Sequence, residues 1–237
     1  MAVIDNLIHW YDGEDDGGGN SDDSVGSLDL TANGGAGFTT SSTGLGDAYD
    51  IPDTGSDYFE TAGSNDIAFD STEDRTFAFR VKRNSGTTND RIMGIWGASD
   101  KNFLITFFTS GQINISLGHG STTDGSIQAT TDISDDAWHS VIITYSGSTD
   151  DKFRVYIDGA TTPELTSAAF SALTGSSQPF RIGFVDGLPL DGQVDSIAIA
   201  DSIWGSTEIT EYHNSGNGVS YADISGGAVF IPKVRIY

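Results

Sequence analysis

The feature that most restricts how this chain can fold is a two-residue hydrophobic rhythm. In "RTFAFRVK", Phe77, Phe79 and Val81 point one way while Thr76, Ala78, Arg80 and Lys82 point the other. The same alternation places Ile113, Ile115 and Leu117 on one side of "QINISL", and Val141, Ile143 and Tyr145 opposite Trp138, Ile142 and Thr144. It recurs in "FRVYID", "FRIGF" and "QVDSIAIA", and earlier in "LIHWY", "DAYDI" and "DYFET". Successive side chains of a strand face opposite sides, so each segment is predicted to be a half-buried strand. "FLITFFT", apolar on both faces, is predicted to be a central strand. Clusters of Gly, Ser and Asp divide the strands at intervals of about ten residues, the spacing of an antiparallel sandwich or barrel. One short helix is predicted near the C-terminus. Ser206 would cap it, Glu208 would favour its positive end, Ile209 and Tyr212 would be its apolar pair, and Asn214 and Gly216 would stop it.

Composition narrows the function. The 237 residues are one domain's worth of chain for an all-β fold, long enough to bury a sizeable core. Cysteine is absent, which excludes disulfide staples, thiolate metal sites and thiol catalysis. A net charge of −23 repels phosphate, so nucleic acid is not an expected partner, and neither is anionic lipid. No apolar run is long enough for membrane insertion. Of the 34 acidic residues only six are glutamate, and the excess of aspartate belongs to turns. Such acidity is also what keeps a protein dissolved in brine, so a saline, halophilic setting is expected. The opening "MAVIDNLIHWYDG" lacks the positive and long apolar regions of a signal peptide, so synthesis in a cytoplasm is expected.

Several segments, in order, resemble the laminin-G-like, concanavalin-A-like jelly-roll family in the form found in bacterial and tailed-phage surface proteins. They are "LIHWYDG", "DSVG", "DRTFAFRVKR", "DDAWHSVIITY", "FRVYIDG", "RIGF", and "LDGQVDSIAIADSIWGSTEITEYHNSGNG". The likeness runs from about Leu7 to Asp223 and implies a two-sheet antiparallel jelly-roll sandwich. The expected division is a domain over 1–224, with an acidic loop at 12–26, and a tail over 225–237. Trp138 is expected to bury in the core. Gly183 and Gly192 are expected at bulges or close backbone approaches, and Asp158-Gly159 at a tight turn.

The family includes glycoside hydrolases as well as lectins. Retaining glucanases of this fold carry Glu-x-Asp-x-x-Glu on one strand, bringing nucleophile and acid to about 5 Å. Here Glu14, Glu60, Glu73, Glu164, Glu208 and Glu211 are scattered, and no nucleophile, phosphate-loop or metalloprotease motif occurs. No catalytic residue is assigned and the protein is read as non-enzymatic. The acidic loop is the strongest chemical signal. Asp12, Glu14, Asp16 and Asp23, with Gly17, match the oxygen-ligand spacing of a Ca²⁺ loop, departing from it in Glu at the third position and Asp at the last. The resemblance implies Asp195, in the Gly-x-Val-Asp strand, as a further ligand to a structural Ca²⁺. The competing reading is a solvated acidic loop. For carbohydrate binding, Trp96, His119 in "GHGSTTDG", and Trp204 are the candidates, with Tyr11 and Tyr58 also available, although the core competes for every tryptophan. Phe230, Lys233 and Arg235, in the net basic tail, are candidate assembly residues able to add a strand to a neighbour's sheet; pairing within the chain is the alternative.

The expectation drawn from all this is a structural protein displayed on a virion surface, as capsid decoration, spike or tail-fibre subunit, or otherwise an extracellular one. Its expected partners are capsid or tail proteins or further copies of itself, and a host surface glycan. The alternative is a free-standing carbohydrate-binding module.

Overall fold

The computed structural model describes residues 6–41, 44–52, 55–63, 66–84, 89–170 and 172–224. In chain order the strands are β1 (Leu7–Tyr11), β2 (Asn20–Ser21), β3 (Leu30–Asn33), β4 (Gly37–Thr40), β5 (Asp47–Ile51), β6 (Tyr58–Glu60), β7 (Asp74–Arg83) and β8 (Arg91–Trp96). They continue as β9 (Lys101–Phe107), β10 (Ile113–Gly120), β11 (Thr122–Gln128), β12 (His139–Ser146), β13 (Lys152–Ile157), β14 (Leu165–Thr166), β15 (Arg181–Ile182) and β16 (Gly192–Ala200). Two helices, α1 (Ser206–His213) and α2 (Tyr221–Ile224), follow.

The strands form two antiparallel sheets. Sheet 1 runs β14-β13-β12-β7-β16-β5-β4 with β1 also on β16, and sheet 2 runs β11-β10-β9-β8-β15-β6-β3-β2. The alternating apolar positions meet between them: Phe77, Phe79 and Val81 of β7 and Val141, Ile143 and Tyr145 of β12 share one core with Phe103, Ile105 and Phe107 of β9. Rings of Phe69, Phe77 and Phe103 pack within it at centroid distances of 4.3 to 6.1 Å. The predicted two-sheet jelly roll is what forms.

In β16 the apolar rhythm changes phase, from Val194 to Ile197 and Ile199. Ser196, at φ 50°, takes up the extra residue as a bulge, and the pairing with β7 skips between Asp195 and Ala198. Past the bulge Ala198 and Ala200 turn to the outer face of sheet 1. There they meet Trp10, Ala78, Ile142 and the helical segment, through Trp204, Ile209, Tyr212, Val219 and Ile224, in a second core. Small side chains on the sheet let the helices sit close. The helix begins one residue earlier than read from the sequence: Gly205 is its cap, and Glu208 accepts from the Gly205 N–H at 2.9 Å. Asn214, in the left-handed region, ends it.

Gly192 and Gly183 behave as expected. A Cβ on Gly192 would lie 2.4 Å from the Lys82 carbonyl, and Gly183, at φ 100°, closes against Ile51 and Asp57. Trp138 does not. It precedes β12 on the outer side of sheet 1, half-buried, with the Arg80 guanidinium 5.2 Å over its ring. The odd positions of β12 own the core, so the even-numbered Trp138 is directed away from it.

Candidate functional site

With sheet 1 roofed by α1 and α2, the outward side chains of sheet 2 form the other broad face, exposed towards its edges at Thr31 and Ser126 and buried at its centre, where Leu104 is 2% exposed. One register row crosses seven strands of it: Thr31, Glu60, Arg181, Gly94, Leu104, Ser116 and Ser126 are successive cross-strand partners. Phe59, Ala32 and Ile182 turn inward to the core, which leaves Tyr58, Glu60, Thr31, Asn33 and Arg181 facing out. Asn33 pairs with Tyr58 in the neighbouring row. A cleft of about 410 Å³ opens here, lined by Ser27, Leu28, Asp29, Thr31, Asn33, Glu60, Thr61 and Ala62.

The cleft wall is braced. Arg181 Nε donates to Glu60 Oε2 at 2.9 Å, and its guanidinium lies 4.8 Å over the Tyr58 ring. The far side of Tyr58 is reinforced by Phe184, near-parallel at 6.2 Å. Asp29 Oδ1 accepts from the Asp23 N–H. The hydroxyls, amide and two carboxylates that line the cleft are groups that bind a polyhydroxylated ligand.

Two of the sequence's sugar candidates lie along this same sheet. Trp96, half-buried, follows Gly94 by two residues on β8, and Lys101 Nζ sits 5.4 Å over its indole while donating to the Ser121 carbonyl at 2.7 Å. Lys101 is the register partner of both Trp96 and Gly120, so the strands bring Trp96 and the His119 turn to one end of sheet 2. His119 Nδ1 is 2.8 Å from Asp124 Oδ2. "GHGSTTDG" is the turn of a hairpin, with Gly118 paired to Thr123 and His119 to Thr122. Gly118 to Gly120 end β10 and Thr122 to Gly125 begin β11. Trp204 is corrected outright: it is 2% exposed in the second core, beneath α1, and cannot stack on a sugar. Tyr11 is likewise buried, its hydroxyl donating to the Leu28 carbonyl.

The five carboxylates read as calcium ligands are not gathered. Asp12 is half-buried and accepts from Trp10 Nε1 and the Tyr221 N–H, and its partial burial pushes its pKa up. Glu14 is exposed and accepts from the Asp47 N–H, while Asp16 folds back on the N–H groups of Gly18 and Asn20. Asp23 is buried beside His9, Nδ1 to Oδ2 2.6 Å, and also accepts from the N–H groups of Trp10, Val25, Gly26 and Leu28. Burial works to raise its pKa, but the His9 bond and these N–H donors outweigh that and lower it. Asp195 lies on sheet 1, fully buried, bonded to the Ser41 hydroxyl and opposite Arg80, and burial drives its pKa up to about 7. Among the described residues no group of three His, Asp or Glu side chains is arranged to hold a metal ion. The regular oxygen spacing reflects turn-making: Asp15 and Asp16 each cap backbone N–H groups of the glycines that follow.

Sequence reasoning did not single out Asp29, Asn33, Glu60 or Arg181 as binding residues. The alternation of "DYFET" already put Tyr58 and Glu60 on one face, but their partners come from strands far away in the chain. Phe230, Lys233 and Arg235 lie outside the described residues.

The geometry defines a jelly-roll β-sandwich with helices packed on one sheet and a cleft on the other. The family model described as the concanavalin A-like lectin/glucanases superfamily matches residues 53–210, and the chain belongs to that superfamily. No curated protein matches it. Among solved structures it is similar to the binding domain of the Paraclostridial mosquitocidal protein 1, at 14% identity and a TM-score of 0.71 over 90% of this chain and 52% of that one. It is similar also to the binding domain of botulinum neurotoxin DC in complex with SialylT, at 14% identity and TM-score 0.70, covering 89% and 52%. A complex of the same toxin domain with rat synaptotagmin II matches at TM-score 0.71, 14% identity, 90% and 52%. The chain thus spans about half the length of these structures.

Proposed function

We propose that this protein is a non-catalytic, lectin-like recognition domain that binds a surface glycan in the cleft at the edge of sheet 2. The observation that carries the reading is the cleft at Thr31, Asn33 and Glu60, with Tyr58 clamped between Arg181 and Phe184 beside it. Its fold is shared with toxin binding domains, one of them in complex with SialylT, which supports recognition as the role. Hydrolysis is the competing chemistry because Asp29 and Glu60 share the cleft. Both are engaged as acceptors, from the Asp23 N–H and from Arg181, an arrangement suited to holding hydroxyl groups in place. The setting we propose is a virion surface, where the domain serves as decoration, spike or fibre subunit.

The test is a glycan array probed with the wild type and with Tyr58→Ala and Asn33→Ala. We expect retention on a subset of glycans, lost in both variants while their melting transitions persist, and no sugar release from mixed polysaccharides. A blank array, or turnover by purified protein, overturns the reading. Deleting residues 228–237 tests the setting: loss of assembly at an unchanged melting temperature supports an assembly arm, and a large destabilisation refutes it.

A further inference from the structure

Resting on the reading of residues 228–237 as an assembly arm, we propose that β11 is the sheet edge that receives this arm from a second copy of the chain. The outer strands are β14 and β4 in sheet 1 and β11 and β2 in sheet 2. Three of them span two to four residues, whereas β11 spans seven. Its free side is open. Ala129 donates its N–H to the Ile113 carbonyl of β10, so the alternate residues Ser126 and Gln128 turn their backbone groups outward. Among the described residues nothing bonds those groups, and the next outward N–H, that of Thr130, is taken by Glu164 at 2.6 Å. The strand carries neither lysine nor proline, residues that commonly guard an edge. The free side of β1, by contrast, is closed at Trp10, whose N–H donates to Asp23 Oδ1 and whose carbonyl accepts from the Ser24 N–H.

The arm matches that edge in pattern and charge. In "KVRIY", Val234 and Ile236 alternate with Lys233, Arg235 and Tyr237. Pro232 precedes them, and the start of a strand tolerates its missing N–H. Along β11, Ile127 packs against the main core and the Phe170 ring lies 2.9 Å from where a Gly125 Cβ would stand. An added strand with Val234 and Ile236 on this side would widen the core, and Lys233 and Arg235 would fall on the outer side with Ser126 and Gln128. Asp124 and Glu164 stand at the two ends of the open stretch, while residues 225–237 hold two cations and no acidic side chain. Edge-to-edge pairing of two β11 strands has no such complement on chains of net charge −23. A second copy is the receiver because the chain leaves its own fold on the opposite flank. Tyr221 bonds to Asp12 and rests by Trp10 of β1, whereas Glu164 and Phe170, on either side of β14, touch Thr130 and Gly125 at the far end of sheet 1. Strand and sheet spacings put those flanks about 30 Å apart, and a flexible linker the length of residues 225–232 spans roughly 16 Å on average.

The experiment compares the full chain with Ser126→Pro and Gln128→Pro, which delete the outward N–H groups and spare the ladder to β10. Light scattering over a concentration series reads the mass, and hydrogen exchange on the wild type reads the edge. The wild-type mass should rise with concentration, and association should weaken at least about tenfold in both variants at an unchanged melting temperature. Exchange at the Ser126 and Gln128 amides of the wild type should slow at least about tenfold on association, a readout that stands even where a variant fails to fold. Association lost on deleting residues 228–237 but indifferent to both prolines, with those amides still exchanging freely, overturns the assignment to β11 and leaves the arm intact. Slow exchange at those amides in a dilute monomer, made fast by the deletion, places the arm on its own chain and overturns the second copy. No association at any concentration overturns the arm and the inference together.

Discussion

Replacing Asp23 by alanine separates a structural carboxylate from a metal ligand. In the folded chain Asp23 is buried, ion-paired to His9 at 2.6 Å, and bonded to four backbone N–H groups. Alanine strands a buried histidine whose other nitrogen faces Asp66 at 2.9 Å, and removes the acceptor shared by the N–H groups of Trp10, Val25, Gly26 and Leu28. Breaking one partner of a buried pair costs about 3–5 kcal/mol. For a chain of this length that lowers the melting temperature by roughly 6–20 °C. Asp23→Asn, which keeps one acceptor oxygen, should fall between. Scanning calorimetry with Ca²⁺ and with EDTA reads the result, and the wild-type transition should be the same in both. The pH profile should carry the pair's signature. The His9 pKa is raised by its two carboxylates against the opposing effect of burial, so its contribution is complete below its ordinary value and fades as pH rises through the raised one. Asp23 is lowered, so its contribution is present above the ordinary carboxylate value and fades in acid. The pair therefore contributes most between about pH 4 and 6.5. A loss under about 1 kcal/mol, or a wild-type transition that drops in EDTA as far as the variant does, would refute the reasoning.

Other expectations are as direct. Asp195, raised by burial from 3.8 to about 7, binds its proton more tightly folded than unfolded. Wild-type stability should therefore decline as pH rises between those values, by up to about 4 kcal/mol, and stay level above; urea titrations should show that Asp195→Asn lacks this component. Trp204→Ala should cost about 3–5 kcal/mol yet leave glycan retention unchanged at temperatures where it stays folded. Gly94→Ala should destabilise measurably in the same titrations, because its Cβ would stand 2.6 Å from the Phe103 carbonyl.

The sandwich was legible because β7 and β12 carry their core-facing positions in their own alternation, Phe77, Phe79 and Val81 in one and Val141, Ile143 and Tyr145 in the other. Short strands such as β2, β3 and β14 are too brief for a rhythm to show, and β11, "TTDGSIQ", is an exposed edge with little apolar patterning. The acidic loop misled because aspartate spacing is shared by metal loops and by runs of turns in which each carboxylate caps N–H groups two to four residues on. Trp204 shows a related limit: the sequence makes it large and apolar, but only the bulge at Ser196 and the helical roof create the second core that buries it. The cleft was the least legible part. Glu60 and Arg181 are 121 residues apart, and nothing local in either segment announces the other.

The roof over sheet 1 also fixes which way the molecule can be mounted. The chain enters the described fold at Leu7, on the strand that flanks β16, and leaves it at Ile224, inside the helical cover. Both ends of the described fold therefore lie on the side of sheet 1, whereas Thr31, Asn33 and Glu60 of the cleft belong to sheet 2.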